Sequence, residues 1–324
     1  MENIFVKTLQ NTFSFVPPIL TIMFFSLFIS GLLVESGVIR KLEFIAKPLV
    51  RSANLPKEAG LGFLISFGSP LAGNIFLAQS YRKGLINKEE TFVSSLFCSL
   101  PVYIKETFTY QIPVMIPVLG LKIGGIYFLS FLLSGFAKLF FVISFGKIRL
   151  KKNSHNKDSD NFSFKHFIQP VKRKFINIVL STFKNQTKLF LKVSSFFVSM
   201  TFIVFLLINI GFLNKVKNVV EPLTGIFKLP SESILPITTY IFNPLLGATS
   251  VSTLVKEGKL NDFQAIVTCM LGGFLMLPVF SFRSSLPKYT SIFGFNLGMS
   301  IILVSTFLGM FVRGIFLFAF LFMI

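Results

Sequence analysis

The chain carries the same pattern of backbone breaks twice, at an offset of 174 residues. Gly37, Pro48, Pro56, Glu58, Pro70, Gly73, Gly84 and Asn87 recur without a gap as Gly211, Pro222, Pro230, Glu232, Pro244, Gly247, Gly258 and Asn261. Further on, Pro113, Gly120, Gly124 and Gly135 match Pro287, Gly294, Gly298 and Gly309. Nearly all of these residues are Gly or Pro, so what is duplicated is a set of places where helices stop or bend. In an apolar chain, a twofold repeat of interrupted helices points to a membrane transporter whose site lies where the breaks meet.

The composition fits that class. Hydrophobic residues make up 52% of the chain and charged residues 14%, against about 25% charged in soluble domains, and the mean hydropathy is +0.74. Several apolar stretches reach the roughly 20 residues that a spanning helix needs, so a multi-pass protein of the cell membrane is expected. The start, MENIFVKTLQN, lacks the basic region and cleavage site of a signal peptide, and the first span is expected to be retained. The net charge of +19 sits largely in loops. The loop 147–174 alone holds nine Lys/Arg against Asp158 and Asp160, which favours a cytoplasmic loop touching anionic lipid over nucleic-acid binding. Cys98 and Cys269 lie in apolar segments and form neither a disulfide framework nor a zinc motif. Only His155 and His166 occur, both in the linker, and there is no phosphate loop or catalytic triad, so enzyme chemistry is not expected.

Three units follow: a first membrane repeat (1–146), a basic cytoplasmic linker (147–174) and a second repeat (175–324). In the first, a span at 13–34 begins near Pro17 and Pro18, and an interfacial helix occupies Arg40–Pro56, where apolar and charged residues alternate. A stretch at 57–84 is interrupted by Gly68-Ser69-Pro70-Leu71-Ala72-Gly73, a run at 91–118 is broken at Leu100-Pro101, and 122–146 is a long span. The second repeat follows the same order at 188–212, 214–230, 231–258, 263–282 and 289–324. Arg283 and Lys288 read as a cytoplasmic turn, while Lys138 and Arg313 face the bundle interior or snorkel.

Segment 57–84 decides the topology. Two arms of about 12 residues rise roughly 18 Å each, well short of a ~30 Å hydrocarbon core. A re-entrant hairpin fits that length and a single kinked span is the alternative. With hairpins the repeats are inverted; with spans they are parallel. Under inversion, loops 40–57 and 82–88 are cytoplasmic with eight Lys/Arg, and their external mates 214–231 and 256–262 have five. That bias has the sign the positive-inside rule requires, and the inverted arrangement is the expected one.

Both tips set small polar residues beside a Pro-x-x-Gly break, where unwound backbone and half-helix ends can hold a polar solute or a cation. Ser69, Asn74 and Gln79 in the first, with Asn243, Thr249, Ser250 and Thr253 in the second, are the candidate substrate-binding residues. Equally, such residues serve to satisfy a broken helix. Ser99 and Glu106 are further candidates in Cys98-Ser99-Leu100-Pro101-Val102-Tyr103-Ile104-Lys105-Glu106-Thr107, where ionisable groups interrupt an apolar run. Glu106 is suited to a proton, a coupling ion or a substrate hydroxyl, or to an ion pair with Lys105 or Lys138. No metal site is expected beyond the single candidate ligand Cys98.

Phe67-Gly68-Ser69-Pro70, then Gly84, then Cys98-Ser99-Leu100-Pro101-Val102-Tyr103 resembles the Gate, or nucleoside-recognition, domain. That family includes concentrative nucleoside transporters, the membrane part of ferrous-iron permeases and spore-maturation membrane proteins. The resemblance covers roughly 37–146 and 211–320. It implies an all-α integral membrane protein of two inverted repeats, each with a scaffold span, interfacial helix, re-entrant hairpin, broken helix and long span. It further implies that the tips at Ser69–Asn74 and Asn243–Ser250 and broken helices near Pro101 and Pro278 enclose the substrate. Ser69 stands where the iron permeases place a cysteine, and no GxxxxGK[ST] motif is present.

The expected function is therefore secondary-active transport of a small polar solute, a nucleoside among the possibilities, with Na⁺ or H⁺ as coupling ion and no other cofactor. Divalent-metal permeation and a non-transporting membrane partner role are the alternatives; a homo-oligomer is compatible with all three.

Overall fold

The computed structural model describes residues 4–36, 43–150, 222–242 and 244–322, with scattered positions between 179 and 210. It is 90% helical, and no strand occurs among the described residues. The first half comprises α1 (Ile4–Ser36), α2 (Glu43–Ser52), α3 (Lys57–Gly68), α4 (Pro70–Arg82), α5 (Lys88–Phe97), α6 (Leu100–Glu106), a π-helical stretch Thr107–Met115, and α7 (Ile116–Arg149). In the second are α8 (Ile234–Phe242), α9 (Pro244–Lys256), α10 (Asp262–Phe280), a π-helical stretch Ser281–Ser285, α11 (Leu286–Phe293) and α12 (Phe295–Leu321). Among the described residues, three helical runs are long and apolar enough to cross a membrane: Ile116–Arg149, Asp262–Phe293 and Phe295–Leu321.

Local chemistry sets the ends of these elements, and the same devices return 174 residues later. Asn87 opens α5 with a capping box: its side chain accepts from Glu90 N–H and its own N–H donates to the Glu90 carboxylate. Asn261 does the same with Gln264 at the start of α10. Every positive-φ residue among the described residues has a mate at that offset: Asn54 and Lys228 (φ 50 and 45°), Gly84 and Gly258 (both 72°), Gly120 and Gly294 (79 and 83°). At Gly120 and Gly294 the chain reverses sharply. A Cβ on Gly124 would lie 2.9 Å from Ile116 Cα, and one on Gly298 would lie 2.7 Å from Thr290 Cα.

Each half is thus built from two hairpins. In one, α3 packs on α4 through Gly73, whose absent side chain lets the arm approach Ser66 and the Gly62 carbonyl; α8 packs on α9 through Gly247 against Tyr240. The arms α3 and α4 have 12 and 13 residues, so they rise only about 18–20 Å. In the other, the run from Lys88 packs antiparallel on α7, with Phe92 against Phe145 and Tyr103 against Phe131. Likewise Phe263 meets Phe320, and Gly309 faces Leu277.

The two halves meet end over end. Lys122, near the start of α7, pairs with Asp262 at the start of α10, 3.2 Å apart. The start of α7 (Leu119, Ile123, Tyr127) shares an apolar cluster with Leu317 of α12, whereas its far end (Val142, Leu150) clusters with Leu297 and Ile301. So α7 and α12 run antiparallel. α1 does the same against the described residues between 179 and 210: the Asn209 amide donates to the Thr8 hydroxyl at 2.9 Å, and Phe24 stacks edge-on to Phe183 and Phe190.

Several expectations are corrected. The first helix starts at Ile4, ahead of the expected 13, and runs through Pro17 and Pro18. Pro278 lies inside α10, and the helix departs from α-geometry only after it, in the π-helical stretch Ser281–Ser285. Arg283 and Lys288 are not in a turn but in the helical run that ends at Phe293; the turn is at Gly294. The first broken run departs from α-geometry at Cys98–Ser99 and again over Thr107–Met115. α7 continues to Arg149, into the proposed linker. Positions 151–178, which hold most of that linker, lie outside the described residues, as does much of the second interfacial stretch.

Candidate functional site

The break between α3 and α4 falls at Ser69, whose extended backbone (φ −150°, ψ 113°) lets its hydroxyl accept from Ala72 N–H at 3.3 Å. Ser69 is therefore an N-cap for α4, with Pro70 at the first helical position, where its missing N–H costs nothing. One turn into α4, Asn74 is 1% exposed. Its amide nitrogen donates to Pro70 O at 2.8 Å and to Tyr289 Oη at 3.3 Å, and its carbonyl oxygen accepts from Ser95 Oγ. Asn74 so ties together α4, α5 and α11, the last of which belongs to the other half. A buried amide needs such a full set of partners, since an unpaired one is costly.

The repeat is broken at all three corners of this triad. The mates of Asn74, Ser95 and Tyr289 are Ala248, Cys269 and Met115, each fully buried. Among the described residues the triad therefore has no counterpart at the repeat positions. Ser95 and Tyr289 were not among the sequence candidates. Their signal was available as departures from the repeat, but nothing local separates Ser95 from its neighbouring serines, and Tyr289 lies 215 residues from Asn74.

The other candidates divide. Ser99 bonds only back to Leu96 O at 2.6 Å, satisfying its own turn. Thr253 is exposed and bonds back to Thr249 O, one turn earlier on α9. Thr249 is exposed, and Gln79 and Ser250 are half-buried. Asn243 lies outside the described residues. Cys98 is fully buried, its sulfur where a Cβ on Gly62 would intrude (2.8 Å). Among the described residues no three His, Cys, Asp or Glu side chains converge on a metal position.

Glu106 is half-buried at the junction of α6 with the π-helical stretch. Lys138 does not form the salt bridge to Glu106: it donates to Ser305 Oγ at 2.8 Å and sits 5.0 Å from the centre of the Tyr103 ring. The positive charges of Lys105 and Lys138 both favour the ionised Glu106 carboxylate. Lys138 and Arg313 are 4% and 5% exposed, so both face the interior and neither snorkels. Ser281 and Thr306 share a hydrogen bond of 2.6 Å, a polar tie between the second π-helical stretch and α12. Outside the long helices, the carboxylate of Glu257 bonds to Lys259 and holds its ammonium above the ordinary lysine range.

The chain is similar to three uncharacterized proteins of Methanocaldococcus jannaschii. One is 29% identical over 96% of both chains. Another is 29% identical over 85% of this chain and 87% of the relative, and a third 27% over 86% and 85%. No family model matches the chain. No solved structure matches it.

Proposed function

We propose that the chain is a multi-pass secondary transporter for a small polar solute, built as an inverted repeat with two re-entrant hairpins. The observation that carries this reading is that repeat mates in contact, α7 with α12 and α1 with the segment around 179–210, pack antiparallel. Mates related by an axis in the membrane plane must run in opposite directions, and inverted repeats of interrupted helices are the architecture of many alternating-access carriers. The short arms of both hairpins, entering and leaving at one end of the molecule, support re-entrance. The Asn74–Ser95–Tyr289 triad spans hairpin, broken helix and opposite half, where relative movement of the two would be felt. Glu106, the only acidic residue between Glu90 and Asp158, is the site proposed for ion coupling. On this reading the end bearing Lys83 and Arg149 is cytoplasmic and the linker contacts anionic lipid.

Uptake into proteoliposomes tests this across nucleosides, amino acids and carboxylates under imposed Na⁺ or H⁺ gradients. Saturable uptake of at least one solute is expected, reduced about tenfold or more in Asn74→Ala, because losing the amide leaves the Ser95 and Tyr289 hydroxyls without this partner, at roughly 1–3 kcal/mol for a buried polar group left unpaired. No uptake of any solute under either gradient would contradict the proposal.

A further inference from the structure

Arg313 is the group that this reading leaves unexplained. It lies on α12 eight residues before Leu321, about 12 Å along the helix from that end, yet it is only 5% exposed and its Nε makes no hydrogen bond among the described residues. The guanidinium lies over α10 at Gly273, where a Cβ would sit 3.2 Å from Nε. Its charge also acts on Tyr240, which packs against Gly272 and Gly247 one turn before the end of α8. Arg313 therefore stands beside the second hairpin near its tip, with glycines on α10 clearing the space.

Among the described residues no carboxylate pairs with it. From Phe263 to Leu321 the chain has Arg283, Lys288 and Arg313 and no acidic residue. Arg283 Nε is likewise buried without a partner. Across the interface Lys138 is a second buried cation, held by Ser305 and Tyr103, and its charge acts on Glu106. Ionisable groups at membrane depth pair with one another or serve a permeating species, and an arginine fork matches the planar oxygens of a carboxylate or phosphate. The repeat mates of Lys138, Arg283 and Arg313 are Val312, Thr109 and Leu139, so these charges are additions to the shared scaffold and not part of it.

We infer that the solute is a small oxyanion, a carboxylate or phosphate compound, engaged by Arg313 beside the second hairpin. This rests on the transport reading and narrows its substrate class, against a neutral nucleoside. The test is thermal melting of the full chain in lipid nanodiscs, at constant ionic strength, with inorganic phosphate, sulfate, acetate, succinate, uridine monophosphate and uridine. At least one oxyanion is expected to raise the melting temperature saturably while uridine does not. Its midpoint concentration is expected to rise tenfold or more in Arg313→Gln and to stay unchanged in Lys83→Gln. Should Arg313→Gln not fold, Arg313→Lys, which keeps the charge but loses the fork, gives the same comparison. Absence of stabilisation by every oxyanion, or an unchanged midpoint in the Arg313 variants, would overturn the inference. Uptake assays separate the two claims: oxyanion binding without flux removes the transport reading and leaves Arg313 as an oxyanion site, whereas saturable uridine uptake without oxyanion binding keeps transport and removes the oxyanion.

Discussion

Gly73→Ala and Gly247→Ala are each expected to lower the melting temperature of the purified protein by several degrees, and Gly68→Ala to leave it nearly unchanged. A Cβ on Gly73 would lie 2.5 Å from the Gly62 carbonyl oxygen and press on the Ser66 hydroxyl, itself bonded to that carbonyl. On Gly247 it would lie 2.5 Å from Tyr240 Cα. Backbone atoms cannot rotate away, so the two arms must separate, and overpacking of this kind costs about 1–3 kcal/mol or more. At Gly68, one residue before the break, an added Cβ meets nothing within 4 Å. Solubilised protein melting as wild type in both variants would show that the arms do not pack as described.

The second large effect is expected at the reversals. Gly120 has φ 79° and ψ 163°, and Gly294 φ 83° and ψ 166°, a region that residues with a Cβ almost never occupy. Open space surrounds both positions, so the cost of Gly120→Ala or Gly294→Ala is conformational, about 1–3 kcal/mol each. A β-branched Val is expected to be worse than Ala. Gly125→Ala is the control: it is helical, has room for a Cβ, and should be neutral or slightly stabilising. Chemical-denaturation midpoints of the five variants check this, and equal midpoints for Gly125→Ala and Gly294→Ala would contradict it.

These glycines also show what was legible in the sequence. Breaks that need a special backbone leave a letter behind, and so Ser69-Pro70, Gly84, Gly120 and their mates could be placed from spacing alone. Irregularities made within a helix do not. The π-helical stretches at Thr107–Met115 and Ser281–Ser285 carry no breaker at their start, and Pro278, which looked like one, sits inside a helix. Charge misled in the same way: Arg283 and Lys288 read as a turn because polar residues usually are, but here helix and tertiary packing hold them inside. Of the site, Asn74 was readable beside its break. Ser95 and Tyr289 were not, since their role exists only once three helices from two halves have met.

The central claim is the inverted arrangement, and side-specific labelling tests it most directly. Lys83 follows the first hairpin and Lys259 the second, both in exposed turns at opposite ends of the molecule. Cys98 and Cys269 are buried and give little background. With single Lys83→Cys and Lys259→Cys variants in intact cells, a membrane-impermeant maleimide is expected to label position 259 directly and position 83 only after permeabilisation. Labelling of both positions from the same side would contradict the account.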